Sequence, residues 1–428
     1  MESNNTRSIF RKELILIYLL PMFMISPMVS AGGFGFSLAE IITFFYGILI
    51  VFTIKKRIPL PKILLVFFPL IIIGRIGALM NSFEFNLPFN YTKFIILFYF
   101  LVVILSYMVG RNSGMLFEDI VKHKFTKYAA LATCLIGVAY VVADATTRGR
   151  LLFLFVPGEM SDRMSSPRFP GLGVNANLYS YFVFIFLVFS LKNYFNHITN
   201  FTISFLCLMI IILCASKTII ILSLLSYTIF CINSFFFKPG TIPERKRNRK
   251  KARIGFYVMG GLFVVAFIIS LDKDLAYYFT LVDRFNELMA KGDGQHNSID
   301  ERSELWSLGW ERVQLAPFFG IDVVQVDMIS DTYPLYFANP HNEFLFYWMS
   351  LGIPGMAAYI IFVLYLFFRN LLRFKLAWVL VYFGLMVQML VDGAFQGLRF
   401  QFFFFILLGL NYNELKIRKS VNGPEIGH

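Results

Sequence analysis

The chain has 428 residues, 57% of them hydrophobic and only 15% charged, where a soluble globular domain carries about 25% charged residues. Phenylalanine alone contributes 52 residues, and a mean hydropathy of +0.67 excludes an ordinary soluble domain. The net charge of +13 could suggest a nucleic-acid partner, but the excess sits in short segments between apolar runs, which is the pattern of membrane topology.

Apolar runs close to the ~20 residues needed to cross a bilayer recur along the chain. They predict an all-α polytopic membrane protein with about 12 transmembrane helices in a single transmembrane domain over 1–428. The spans fall near 14–30, 36–54, 63–80, 92–110, 125–143, 173–191, 201–215, 218–237, 254–271, 342–368, 376–393 and 398–413. The first follows a basic flank of Arg7, Arg11 and Lys12 and runs into Val29-Ser30-Ala31. That pattern fits either a cleavable signal peptide or a first anchor, and cleavage would leave the later topology unchanged.

Charge then orients the spans, with both termini inside. The inner segments hold Lys55, Lys56, Arg57 and Lys62, then Arg111, Lys122, Lys124 and Lys127, then Lys192. They continue with the Lys238–Arg253 run, Arg369, Arg373 and Lys375, and finally Lys416, Arg418 and Lys419. Residues 201–237 are apolar except at Ser216-Lys217. One helix of that length would be about 55 Å long against a hydrocarbon core of ~30 Å, and it would put the 244–251 basic run outside. Two short spans with a tip at Ser216-Lys217 solve both problems, and leave Lys217 recessed in the outer leaflet. The cysteines Cys134, Cys207, Cys214 and Cys231 all lie in apolar runs, with neither a disulfide framework nor a zinc spacing.

The outer side then carries two large loops, 144–172 and 272–340. In the second, Gly292-Asp293-Gly294 signals a turn, and Ser298-Ile299-Asp300-Glu301 reads as a capping box opening a helix. That helix should stop near Leu315, ahead of Pro317. Spacing of three and four places Arg302, Trp306, Gly309, Trp310 and Val313 on one face, suited to a membrane surface or to lidding a cavity.

Several residues in and around these loops could carry chemistry. Lys217 is ionisable within a span, a functional position by default, although a lysine can also snorkel to the interface. Arg75, Arg399 and Asp392 lie near outer span ends, where Asp392 and Arg399 could form a structural ion pair. Arg168-Phe169-Pro170-Gly171 and Asn175-Ala176-Asn177 read as a turn into a helix N-terminus. Such a terminus beside a basic residue favours an anion such as phosphate, or else the arginine meets lipid headgroups. Arg302 lies among Asp300, Glu301 and Glu304, as on a solvated helix or at a binding site. His341 opens a span just after Pro340, and near neutral pH a histidine can take a proton from a hydroxyl. Asp272-Lys273-Asp274 offers a D-x-D that could hold a divalent metal. Taken together, Arg168, Lys217 and Arg302 are cations able to hold a polyprenyl diphosphate and stabilise it as it leaves, without a metal.

On these residues the chain resembles the O-antigen polymerase and O-antigen ligase superfamily of bacterial surface-polysaccharide assembly. Arg168-Phe169-Pro170-Gly171 with Asn175-Ala176-Asn177 is similar to the family's R-x-x-G…N-x-N/P-N segment. Ala215-Ser216-Lys217 stands where the family usually has Ser-Arg. Arg302-Ser303-Glu304-Leu305-Trp306 with Pro317-Phe318-Phe319-Gly320 is similar to an R…W…P-x-x-G run. Pro340-His341-Asn342-Glu343-Phe344-Leu345 with Leu351-Gly352-Ile353-Pro354-Gly355 matches H-N-x-x-L…G-x-x-G.

The resemblance implies a metal-independent membrane glycosyltransferase (GT-C-like) architecture in the bacterial inner membrane, with its site on the periplasmic face. The large periplasmic loop, 272–341, between spans nine and ten would carry part of that site. It implies His341 as the catalytic base, Arg302, Lys217 and Arg168 as diphosphate ligands, and Asn342, Trp306 and Asn177 in support, with no metal and no cofactor. Lys217 departs from the family's arginine; it keeps the charge but loses the bidentate fork. The expected activity is polymerisation of an undecaprenyl-diphosphate-linked oligosaccharide repeat, which serves as both donor and acceptor, with a chain-length regulator as a further partner. A ligase moving the chain to lipid A-core shares the donor. A lipid-linked sugar flippase would instead call for internal repeats and midplane charges, and the sequence displays neither.

Overall fold

The computed structural model describes residues 15–25, 28–31, 34–53, 59–84, 95–144, 146–148, 150–151, 169–171, 175–192, 198–236, 298–321, 340–395 and 398–421. The described part is helical apart from one hairpin. Its elements run α1 (Ile15–Ile25), β1 (Met28–Ala31), β2 (Phe34–Ser37), α2 (Leu38–Thr53), α3 (Lys62–Glu84), α4 (Ile95–Asn112), α5 (Phe117–Lys122) and α6 (Lys124–Val142). They continue with α7 (Ala176–Lys192), α8 (Ile198–Leu213), α9 (Lys217–Phe236), α10 (Ser298–Leu315), α11 (Glu343–Leu371), α12 (Leu376–Val391) and α13 (Leu398–Val421). By length and composition, α3, α6 and α11 can each cross a membrane. Most of the other helices are shorter apolar ones of 10–17 residues. The expected span 254–271 lies outside the described residues, as do Asp272 and Asp274.

One departure comes early. The expected first span, 14–30, ends as a helix at Ile25, and β1 then pairs antiparallel with β2 from Met28↔Ser37 to Ala31↔Phe34. The sequence explains the change of state. Pro27 is unsuited to continuing a helix, and the two residues joining the strands are Gly32-Gly33, a pair that two-residue hairpins favour. Ser37-Leu38-Ala39-Glu40 then opens α2 as a capping box. The Ser37 backbone N–H donates to the Glu40 carboxylate, and the Glu40 N–H donates to Ser37 Oγ at 3.3 Å.

The chain forms two compact units: Met1–Val51 with Ser106–Lys291 and Phe403–His428, and Phe52–Leu105 with Gly292–Phe402. In the first, α7 is buried on every side from Tyr179 to Leu191, as expected of a helix that is apolar all round. Phe403 of α13 packs its ring at 4.6 Å from Phe182 and 5.6 Å from Phe23. Gly110 and Gly409 let α4 and α13 touch through their backbones, since a Cβ on Gly110 would lie 2.0 Å from the Ile406 carbonyl oxygen. Asn413 secures the crossing by donating to the Gly110 carbonyl at 2.9 Å and accepting from Arg111 at 2.8 Å.

The α8–α9 hairpin breaks at 214–216, as the sequence predicts. Ala215 takes a left-handed conformation (φ 49), and Ser216 O accepts from the Ile220 N–H at 2.9 Å to begin α9.

In the second unit α3 and α11 run together, with Phe67 of α3 against Tyr359 and Phe362 of α11. α11 is two helical segments joined at Gly352 (φ 67, ψ −163). Residues 316–321 fill the break. Ile353 N–H donates to Phe318 O at 3.1 Å, and Ile321 N–H donates to Met349 O at 2.7 Å. Broken helices are tolerated in spans where protein groups satisfy the freed backbone in this way.

Candidate active site

α11 begins at a sharp corner. Pro340 precedes His341, whose φ of 49 places a non-glycine residue in the left-handed region, a conformation that costs roughly 1–2 kcal/mol. Asn342 is the helix cap, its Oδ1 accepting from the Leu345 N–H at 3.1 Å. The corner turns the imidazole toward the end of α12. There Nδ1 lies 3.3 Å from Asp392 Oδ1. The histidine side chain is 44% exposed, while the aspartate is 4% exposed. Asp392 also accepts from the Gly393 N–H at 2.9 Å.

A base and the group that orients it can be arranged in this way. For the pair to be a hydrogen bond with an ionised Asp392, Nδ1 carries the proton, and Nε2 becomes the basic nitrogen. The sequence alone put Asp392 beside Arg399, and only the fold joins it to His341, 51 positions away. The signal available was its place near the outer end of a span, where an ionisable residue is a functional candidate by default.

α10 starts at Ser298 and ends at Leu315, the bounds expected from the sequence. It packs against the first half of α11, and a Cβ on Gly309 would come within 2.7 Å of the Leu345 side chain. Val313 and Ala316 continue the buried stripe. Trp306 and Trp310 flank that stripe and are 40% and 48% exposed, so the expected single face divides into a small-residue seam and an aromatic edge. Trp310 meets Trp348 edge-on at 5.2 Å, and Trp348 Nε1 donates to Pro317 O at 3.0 Å. Contacts advance in the same sense along both helices, from Gly309 with Leu345 to Phe318 with Ile353. Arg302 lies two turns before Gly309, toward the end of α11 that bears His341, and is half-buried.

In the other unit Lys217 is the first residue of α9 and is half-buried. Arg168 lies outside the described residues. Its neighbour Phe169 is tied to the hairpin tip, donating its N–H to Leu213 O at 3.1 Å. Gly171 takes φ 76 and lies against the Tyr179 ring. At the start of α7 Asn175 Oδ1 accepts from the Asn177 and Leu178 N–H groups at 2.8 and 3.4 Å, a side-chain cap on the helix where the sequence suggests an anion. Among the described residues no group of three His, Cys, Asp or Glu side chains could hold a metal ion.

Residues 202–360 match a family described as O-antigen ligase. No curated protein matches the chain. The matched segment takes in Lys217, Arg302, Trp306, His341 and Asn342, and it leaves out Arg168, Asn177 and Asp392. Asp392, the partner of His341, therefore lies beyond the matched segment.

Proposed function

We propose that the protein is a glycosyltransferase of the bacterial inner membrane. It polymerises undecaprenyl-diphosphate-linked oligosaccharide repeats into O-antigen or capsular polysaccharide at the periplasmic face. The supporting finding is a domain of a family of glycosyltransferase-like enzymes that act on lipid-linked sugars. The observation that carries the chemistry is the His341–Asp392 pair at the mouth of α11.

In this reading the hydroxyl of a new lipid-linked repeat attacks the anomeric carbon of the growing chain. Its proton passes to His341 Nε2 as the new C–O bond forms. The bond from that carbon to the lipid diphosphate breaks, and the electron pair leaves with the diphosphate. Arg302 and Lys217, joined by Arg168, offset the charge that develops on it. Asn342 holds the corner that aims the histidine, and Trp306 and Asn177 take supporting places. A metal-independent GT-C-like architecture of about 12 spans in one transmembrane domain belongs to the same proposal, as does an association with a chain-length regulator.

The O-antigen ligase description of the matched family favours a second reading, transfer of the finished chain to lipid A-core. Deletion separates the two. A strain lacking a polymerase should still cap lipid A-core with a single repeat and lose only the long chains. A strain lacking a ligase should carry bare core and accumulate long chains on the lipid carrier. The second outcome would overturn the favoured reading.

A further inference from the structure

Two residues after His341 stands a carboxylate to which the reaction above gives no role. Glu343 is fully buried at 0% exposure. It occupies the first position of α11, yet Asn342 already caps that helix through Leu345. The Glu343 side chain instead reaches the loop after α12. Its two oxygens accept from the backbone N–H groups of Ala394 and Phe395, each at 2.6 Å. Both oxygens are thus engaged by backbone donors. Burying a carboxyl group is costly unless its polar atoms are paired, so its presence calls for a reason.

The loop it grips supplies one. Residues 392–395 leave α12 with Asp392 at their head, and Asp392 is the partner of His341. At the other end Phe395 is fixed by apolar contact, 5.4 Å from Tyr359 and 5.3 Å from Phe400. Between these ends lies Gly393, whose own backbone N–H points to Asp392. We infer that Glu343 is a positioning residue, a strut that couples the helix bearing His341 to the loop bearing Asp392 and sets the distance between imidazole and carboxylate. The histidine and its orienter come from different helices, and Glu343 ties one backbone to the other within two residues of each. This inference rests on the His341–Asp392 reading of the reaction.

The test is a double-mutant cycle, read in membranes supplied with the host's own lipid-linked repeat. Glu343→Gln keeps the size of the side chain but sets an NH2 group against one of the two N–H donors. It should lower kcat by roughly 10- to 100-fold, as small displacements of reacting groups do, with KM for the lipid-linked repeat unchanged. In an Asp392→Ala background the same substitution should cost less than about twofold, because the group it aligns is gone. Equal costs in both backgrounds, or a loss that follows lowered thermal stability of the solubilised protein, would overturn the strut. Should Glu343→Gln fail to accumulate, Glu343→Asp is read in the same cycle, since it keeps the carboxyl group and shortens the reach. His341→Ala separates this failure from that of the reaction. An active His341→Ala protein sinks the base, whereas an inactive one beside fully active Glu343→Gln sinks only the strut.

Discussion

His341 holds a backbone conformation that costs energy for any residue with a Cβ. Strain of this kind persists where the surroundings enforce it, and it gathers at functional sites. Here the enforcement comes from Pro340 before it, the Asn342 cap after it and Asp392 against its ring. His341→Ala should therefore abolish long polysaccharide chains while the protein still inserts and accumulates; normal chain lengths would remove the base. Asp392→Asn is the more discriminating variant. Its amide can donate to Nδ1 and so stabilise the tautomer that carries the proton on Nε2, where it cannot act as a base. Transfer rates should fall by roughly 10²- to 10⁴-fold, with the lipid-linked substrate still bound. With Arg302 and Lys217 offsetting the charge on the leaving diphosphate, as proposed, no metal is called for, so transfer should survive EDTA. A loss restored by a divalent cation would move attention to Asp272 and Asp274.

At the scale of elements, α9 is informative because it opens with a cation. A positive charge at a helix N-terminus works against the helix dipole by about 0.3–1 kcal/mol, and the same terminus is a natural anion site. Lys217→Ala should leave the thermal stability of the solubilised protein nearly unchanged while lowering transfer, and Lys217→Arg should retain more activity than Lys217→Ala. Equal activity in the two would take Lys217 out of diphosphate binding. The break in α11 is the opposite case, a structural device. A Cβ on Gly352 would lie 2.1 Å from the Phe318 carbonyl oxygen, at a φ that already disfavours side chains. Gly352→Ala should cost roughly 2–4 kcal/mol, read as a lower thermal midpoint, and should disturb the docked 316–321 segment.

These elements also mark what the sequence discloses. The α8–α9 tip was legible because Ser216-Lys217 interrupts an apolar run too long for one crossing. The ends of α10 were legible because Ser298 and Pro317 act locally. The β1–β2 hairpin was hidden because it straddles the end of the first expected span, the gap after it and the start of the second, where apolar composition outweighed Pro27 and the glycine pair. The His341–Asp392 contact and the Glu343 bridge were not legible, since each joins positions about fifty residues apart and only tertiary packing decides such pairs. The Asn175 cap was missed for a different reason. The same Asn-rich start that suits an anion site also suits a side chain that caps the helix itself, and nothing local decides between them.

For the whole molecule, the decisive quantity is the sign of charge on each side of the spans. The basic clusters at 55–62, 122–127, 238–253, 369–375 and 416–419 would all face one side if the chain crosses at the expected places, because short basic segments resist translocation. The polar stretch from 272 to 340 would then lie opposite, and with it His341 and Arg302, as the proposed periplasmic reaction requires. On the segments expected inside, Glu118 pairs with Lys192 and with Lys122, and Arg111 is held by Asn413. Reporter fusions check the arrangement. A phosphatase that is active only outside the cytoplasm should be silent when fused after residue 421 or within 238–253, and active within 272–297. A cytoplasm-dependent fluorescent reporter should give the reverse pattern. Phosphatase activity at the C-terminal fusion would invert the topology, and with it the periplasmic placement of His341.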